Sequence, residues 1–324
     1  MNAAVRPARW KIVLAFSIIY FVWGSTFLAI RVGVEHVPPL LLAGMRFLAA
    51  GGLLYAWMRF RGAPSPTARE WGLSAMMGAL IFLLDYGCLF WAEQRVPSGV
   101  AAVVLATIPV FMTLLEILFL RTQRLTIRLA VALLIGIGGV AVLTNHSFSL
   151  GEKPINRAGA MALTIAALSW SVAVIWSRKL PLPKSKAMSS AAQMLTGGVQ
   201  LLLAALIAGE FRQFHVHEIS TNAWLALIYL ILAGSIAGYT AFLWLLHHES
   251  PTKVGTYAYV NPLVAVALGY LLGGETVGAR TLIGTLCILV SVVAITTMPR
   301  APHSPLVHEK GAAELPELSP AKAE

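Results

Sequence analysis

The stretch Trp23–Phe47, WGSTFLAIRVGVEHVPPLLLAGMRF, sets Arg31, Glu35 and Arg46 in an oily background with Pro38-Pro39 between them. A soluble core would leave those charges without water, and a plain membrane anchor would not need them. The prolines divide the stretch. Proline pushes the residue before it out of the helical region, so one helix stops near Arg31 and a second starts at Pro39. Arg31 and Glu35 then mark a membrane surface, and Pro38-Pro39 a tight re-entry. Arg46 lies seven residues beyond Pro39, ~10 Å below that surface at about 1.5 Å per residue.

The whole chain supports the membrane reading. It has 324 residues, 58% hydrophobic and 12% charged, with a mean hydropathy of +0.76. Soluble domains are about 45–50% apolar and about 25% charged. Apolar runs lie near 12–31, 39–59, 71–92, 97–120, 127–144, 156–177, 188–208, 223–246, 252–273 and 280–298. Most approach the ~20 residues that cross a hydrocarbon core about 30 Å thick. The expectation is an all-α integral membrane protein with ten transmembrane helices. The basic N-terminus followed by Ile12–Ile30 looks like a signal peptide. That run is too long for one, however, and lacks a small-x-small cleavage site, so it is expected to stay as the first helix. Short loops leave no room for a soluble domain, and the proline-bearing tail 299–324 is expected to be disordered and cytoplasmic.

Net charge is +10, which in other settings points to nucleic acid. Here Lys and Arg follow the loops instead. With the N-terminus inside, fifteen fall in alternate, cytoplasmic segments: Arg6, Arg9, Lys11, Arg59, Arg61, Arg69, Arg121, Arg124, Arg128, Arg178, Lys179, Lys184, Lys186, Lys253 and Arg300. Six fall on the other side: Arg31, Arg95, Lys153, Arg157, Arg212 and Arg280. That bias predicts an N-in, C-in topology and makes the bilayer, with no nucleic acid, the partner of the basic surface.

The halves echo each other. AFSIIYFVWGSTFLAIR (15–31) aligns with ALTIAALSWSVAVIWSR (162–178), and LAVALLIGIGGVAVLT (129–144) with LIGTLCILVSVVAITT (282–297). Pro97 and Pro109 likewise correspond to Pro251 and Pro262. Five spans per half force the second copy to enter from the opposite side, which gives inverted repeats at 12–144 and 156–298. Such repeats are a common basis for alternating access to a midplane site.

WGSTFLAIRVGVE, the following PP…AGMRFLAAG, VPSGVAAVVLATIPVF and YAYVNPLVAVALGYLLGGET resemble the EamA branch of the drug/metabolite transporter superfamily. The likeness runs from about Ile12 to Met298. It implies ten helices in two EamA repeats and movement of small metabolites across a bacterial cytoplasmic membrane. It carries no substrate.

Ionisable residues at membrane depth default to functional hypotheses. Arg46 and Asp85, the sole aspartate, lie at matching depth. They are expected either to pair or to line an outward cavity; a structural salt bridge is the plainer alternative. Glu35 is an interface anchor that is also considered, with Asp85, for proton coupling, and Glu275 in GGET is a weak gate candidate. Glu116 is expected near the cytoplasmic surface beside Arg121 or Arg124. Trp23, Ser25 and Thr26 in helix 1 correspond to Trp170 and Ser171 in helix 6. Tyr257, Tyr259 and Asn261 approach the midplane in helix 9. Pro109 and Pro262 are expected to break helices 4 and 9 near the centre, since proline removes a backbone bond and frees a carbonyl. The substrate or transport set is therefore Trp23, Thr26, Arg46, Asp85, Trp170, Tyr257 and Asn261, in a cavity lined by helices 1, 2, 3, 4, 6 and 9. Gly44, Ala49, Gly51, Gly52, Gly136, Gly138 and Gly139 suit close helix packing.

The sequence has no P-loop, no H-E-x-x-H and no G-x-S-x-G, and Cys88 and Cys287 fall in apolar runs with no metal or disulfide spacing. Neither a cofactor nor a metal is expected. The leading expectation is a secondary transporter exporting a small metabolite such as an amino acid. The alternatives are a drug-efflux or uptake carrier and, from another class, a membrane enzyme or structural subunit. An enzyme would need a nucleophile–base or metal constellation, which Asp85, His247 and Cys88 do not make.

Overall fold

The computed structural model describes residues 8–120, 125–144, 155–177, 179–249, 254 and 256–297. All regular structure among them is helical. Eight helices are long and apolar enough to cross a membrane: α1 Arg9–Val34, α2 Pro39–Phe60, α3 Ala68–Glu93, α4 Ser98–Phe119, α6 Arg157–Ser177, α7 Lys186–Ile207, α8 Thr221–Phe242 and α10 Ala279–Thr297. Two shorter apolar helices, α5 Ile127–Thr144 and α9 Tyr257–Leu271, complete the set. Arg121, Arg124, Arg178, Lys253, Pro251 and the tail from 298 lie outside the described residues.

Local chemistry sets the ends. Thr67 starts α3 with a reciprocal capping box to Glu70, Ser185 accepts from the Met188 N–H to start α7, and Ser220 caps α8 from the Ala223 N–H. Each satisfies a donor that the first helical turn leaves free. Helices α2 and α4 begin differently. Their N-cap residues are Pro38 and Pro97, with no capping side chain of their own.

The halves interlock. Helix α2 packs on α7, α4 on α9 and α5 on α10, while α1 packs on α8 and α3 on α6. Gly159 near the start of α6 faces Val96 just past the end of α3, so α6 enters from the face at which α3 leaves. The α2–α7 seam is the tightest. A Cβ on Gly51 would lie 2.8 Å from the Leu195 nitrogen, and one on Gly198 2.6 Å from the Leu48 nitrogen. The α5–α10 seam repeats the device more lightly. Ser291 Oγ donates to the Ala132 carbonyl at 2.6 Å, and Gly136 leaves room for the Ser291 side chain.

Two expectations about helix breaks divide. Helix α4 is interrupted at Ala106–Thr107 between helical segments Ser98–Leu105 and Ile108–Leu115, with Pro109 in the first turn of the second. Helix α9 is not broken at Pro262, which lies inside a continuous helix. The described helix runs from Tyr257 to Leu271, with a turn at Thr256 before it. The Thr256 hydroxyl there meets the Tyr20 hydroxyl at 2.5 Å, well along α1. Among the described residues four stretches wind as π-helix: Ile18–Val22 in α1, Ala79–Tyr86 in α3, Glu116–Leu120 in α4 and Leu230–Ala237 in α8. Those of α3 and α8 fall in the third helix of each half.

Candidate functional site

The π stretch of α8 organises the site. Trp23 Nε1 donates to the Gly234 carbonyl at 3.1 Å, and Arg46 Nε donates to Ser235 Oγ at 3.0 Å. A Cβ at 234 would lie 2.9 Å from Thr26 Cγ2 and 3.2 Å from Arg46 Nη2, so any larger residue there would displace both side chains. Trp23 packs edge-on against Tyr257 at 5.1 Å and tilted against Phe242 at 5.3 Å. The structure thus brings together Trp23, Thr26, Arg46 and Tyr257 from the expected set, around a helix absent from the expected lining. Ser235, in the apolar run LILAGSIAG, was the available signal. Four small residues there mark a place where other side chains press close.

Arg46 is 3% exposed. Its guanidinium lies over three rings, Phe47 at 4.7 Å, Tyr86 at 5.3 Å and Phe90 at 5.9 Å. A desolvated cation over aromatic faces gains up to about 2 kcal/mol per ring, which offsets part of the cost of burial. Its hydrogen bonding remains incomplete, for Nη1 is buried with no partner. Phe47, Phe82, Tyr86 and Phe90 form one ring cluster, and Tyr86 extends it to Trp170 at 6.3 Å. Trp170 therefore reaches the site through Tyr86 rather than through Arg46.

Asp85 does not pair with Arg46. Its Oδ1 is buried without a partner, on the π stretch of α3 that packs against α6, while Arg46 turns toward α8. Matching depth put the two at one level, but depth does not fix the face of a helix, and the π stretch shifts that face further. Asn261 also turns out to be occupied. The surrounding acceptors orient its amide so that the nitrogen donates to the carbonyls of Tyr257 at 3.2 Å, Tyr20 at 3.1 Å and Ile19 at 3.3 Å. Asn261 thereby ties α9 to the π stretch of α1. Thr107 bonds the Val104 carbonyl at 2.6 Å, and Ser171 donates to the Ile108 carbonyl at 3.2 Å, serving the α4 break.

One rim, the face holding 35–38 and 94–97, carries further charges. Arg31 pairs with Glu35 at 3.3 Å and donates to the backbone carbonyl of Glu93. Glu93 is fully buried, both its carboxylate oxygens lack partners, and Arg31, Arg46 and Glu275 are its electrostatic neighbours. It closes the apolar run GCLFWAE and looks in sequence like a loop charge. Glu210 accepts from the Leu40 and Leu41 N–H groups at 3.3 and 2.8 Å. Burial pushes its carboxyl above the ordinary range, and those two bonds pull it back.

Arg46 is thus an under-satisfied cation buried in an aromatic cluster, and comparison with known proteins gives the chain a family. The profile of the EamA-like transporter family matches twice, at residues 10–145 and 157–297. The chain belongs to that family. The transporter is 39% identical over 280 residues to the inner membrane transporter YedA of Escherichia coli, covering 86% of this chain and 88% of that one. It is 29% identical over 278 residues to a Salmonella typhimurium protein named "Probable amino-acid metabolite efflux pump", covering 84% and 90%. A protein of known crystal structure superimposes with a TM-score of 0.59 at 20% identity, over 89% of the transporter and 98% of that chain, a likeness of fold alone. Membership indicates a transporter rather than an enzyme.

Proposed function

We propose that this transporter is a secondary carrier of the bacterial inner membrane that exports a small carboxylate-bearing metabolite, an amino acid or a related compound, by alternating access. In this reading ten helices span the membrane, N-in and C-in, as two inverted five-helix repeats at 12–144 and 156–298 with a cytoplasmic tail. One observation carries the substrate class. Arg46 is buried among aromatic rings with Nε bonded to Ser235 and Nη1 unpartnered. A planar guanidinium takes a carboxylate through two parallel bonds, and such a ligand would complete it. Trp23, Thr26, Tyr86, Trp170 and Tyr257 supply apolar and hydroxyl walls. The name of the Salmonella relative agrees with an amino-acid metabolite.

For coupling, Asp85 is the better proton carrier of the two carboxylates considered. It is buried and partly unpartnered, whereas Glu35 is held by Arg31 at the rim. The test is flux in proteoliposomes across a panel of amino acids, their decarboxylated amines and neutral sugars, with and without a pH gradient. Export of acids and not of amines supports the reading; movement of the amines alone overturns it.

A further inference from the structure

Two carboxylates at the rim that holds 35–38 and 94–97 sit in the same local structure. Glu210 follows Gly209 after α7, and Glu275 follows Gly274 after α9; both glycines are left-handed, with φ of 75° and 62°. Each carboxylate reaches across to the first half and caps a helix that begins on proline. Glu210 takes the Leu40 and Leu41 N–H groups of α2. Glu275 takes the Ser98 N–H at 2.6 Å and the Gly99 N–H at 3.1 Å in α4. These are the free donors and the positive end of a helix dipole. The opposite face has no such pair at α2 and α7. Gly62, with φ of 80°, ends α2, but Ala63 follows it, and α7 uses its own Ser185.

The surroundings of the two caps differ. Glu210 closes the α2–α7 seam, where Gly44, Gly51 and Gly198 hold the backbones in contact along the length of both helices. That seam has no slack to open. Glu275 closes the α4–α9 seam, where α4 is interrupted at Ala106–Thr107. Beside it lie polar groups that packing has not satisfied: the Glu93 carboxylate and the Ser98 hydroxyl, both fully buried and without partners.

We propose that Glu275 is the latch of an outer gate between α4 and α9, and that Glu210 is a permanent staple of the α2–α7 spine. Releasing the Ser98 and Gly99 N–H groups lets the start of α4 swing from α9 and wets Glu93 and Ser98. This rests on the alternating-access reading, but its test needs no substrate.

Hydrogen exchange on the wild-type chain in lipid nanodiscs is the first measurement. Amides in 98–102 are expected to exchange at least about tenfold faster than those in 40–44, since a latch that opens exposes donors that a staple keeps. Equal protection at the two helix starts overturns the proposal. The second measurement labels Ser98→Cys, in a Cys88→Ala, Cys287→Ala background, with a membrane-impermeant maleimide from each side. Glu275→Gln is expected to raise outside labelling about tenfold, the factor that follows from weakening charge-assisted bonds, while Glu210→Gln leaves it within about twofold and lowers the melting temperature. Equal effects of the two variants, or no effect of either, overturn it. A rise from the inside only keeps the latch and overturns the proposed orientation. Solute flux with a fully protected α4 start keeps the carrier reading and overturns the latch.

Discussion

Arg46 is the residue on which the proposed function rests. A charged side chain at the bilayer centre costs about 2.5–3.5 kcal/mol on insertion scales, and three rings and one hydroxyl do not satisfy all five of its donors. Arg46→Ala is expected to lower flux at least about tenfold, because truncating one partner of a buried charged pair costs roughly 2–5 kcal/mol. Arg46→Lys should fail to restore it, since an ammonium lacks the planar fork. Flux beside an unchanged gel-filtration profile is the check, and full activity in the lysine variant would show that charge alone suffices. Asp85→Asn addresses the other buried charge. It should abolish acceleration by a pH gradient and leave solute exchange intact, whereas equal loss of both would make Asp85 part of the chamber. The sequence made both residues visible, as charges in oily runs. It did not reveal that they face different helices, because residue spacing gives depth directly and azimuth only for a regular α-helix. Across eight π-wound residues, Ala79–Tyr86, that regularity is lost.

At the scale of elements, hydrophobic runs placed the helices because a bilayer demands length above all, and apolar length is what a sequence displays. Pairing was less visible. Glycines at 44, 51, 136 and 139 marked close approach, yet Gly52 and Gly138 look alike in sequence and meet almost nothing within 4 Å. Gly198→Val should therefore lower stability by about 1–3 kcal/mol, the usual cost of overpacking, since the obstacle is the rigid Leu48 backbone. Gly138→Ala should be neutral or stabilising, by up to about 1 kcal/mol of helix propensity. Thermal melts in detergent compare the two, and a melting temperature unchanged by Gly198→Val would mean that the α2–α7 seam is loose. The α8 stretch Leu230–Ala237 escaped the sequence reading for a related reason. The atoms it offers to Trp23 and Arg46 are the Gly234 carbonyl and one serine hydroxyl, and a backbone acceptor has no signature in residue type. Glycine there serves as a surface rather than a joint, admitting Thr26 and Arg46 to the same spot.

For the whole molecule, the proposed inversion of the halves and the distribution of charge along the sequence have one consequence. The pairings of α2 with α7, α4 with α9 and α5 with α10 each join one half to the other, as the proposed inverted repeats require. One end of the bundle carries Glu210 and Glu275 as cross-half caps, and the proposed topology makes that end the outer one. Basic residues resist translocation, so in that topology the residues that orient the chain also set which end receives the carboxylate caps. His217→Cys and Arg61→Cys, both on exposed residues at opposite faces, should report this directly in the Cys88→Ala, Cys287→Ala background. In intact cells an impermeant maleimide is expected to label position 217 and spare position 61, with the order reversed in inside-out vesicles. Labelling of 61 from outside would place the carboxylate-capped mouth in the cytoplasm, and the carrier would then gate import with the device assigned here to export.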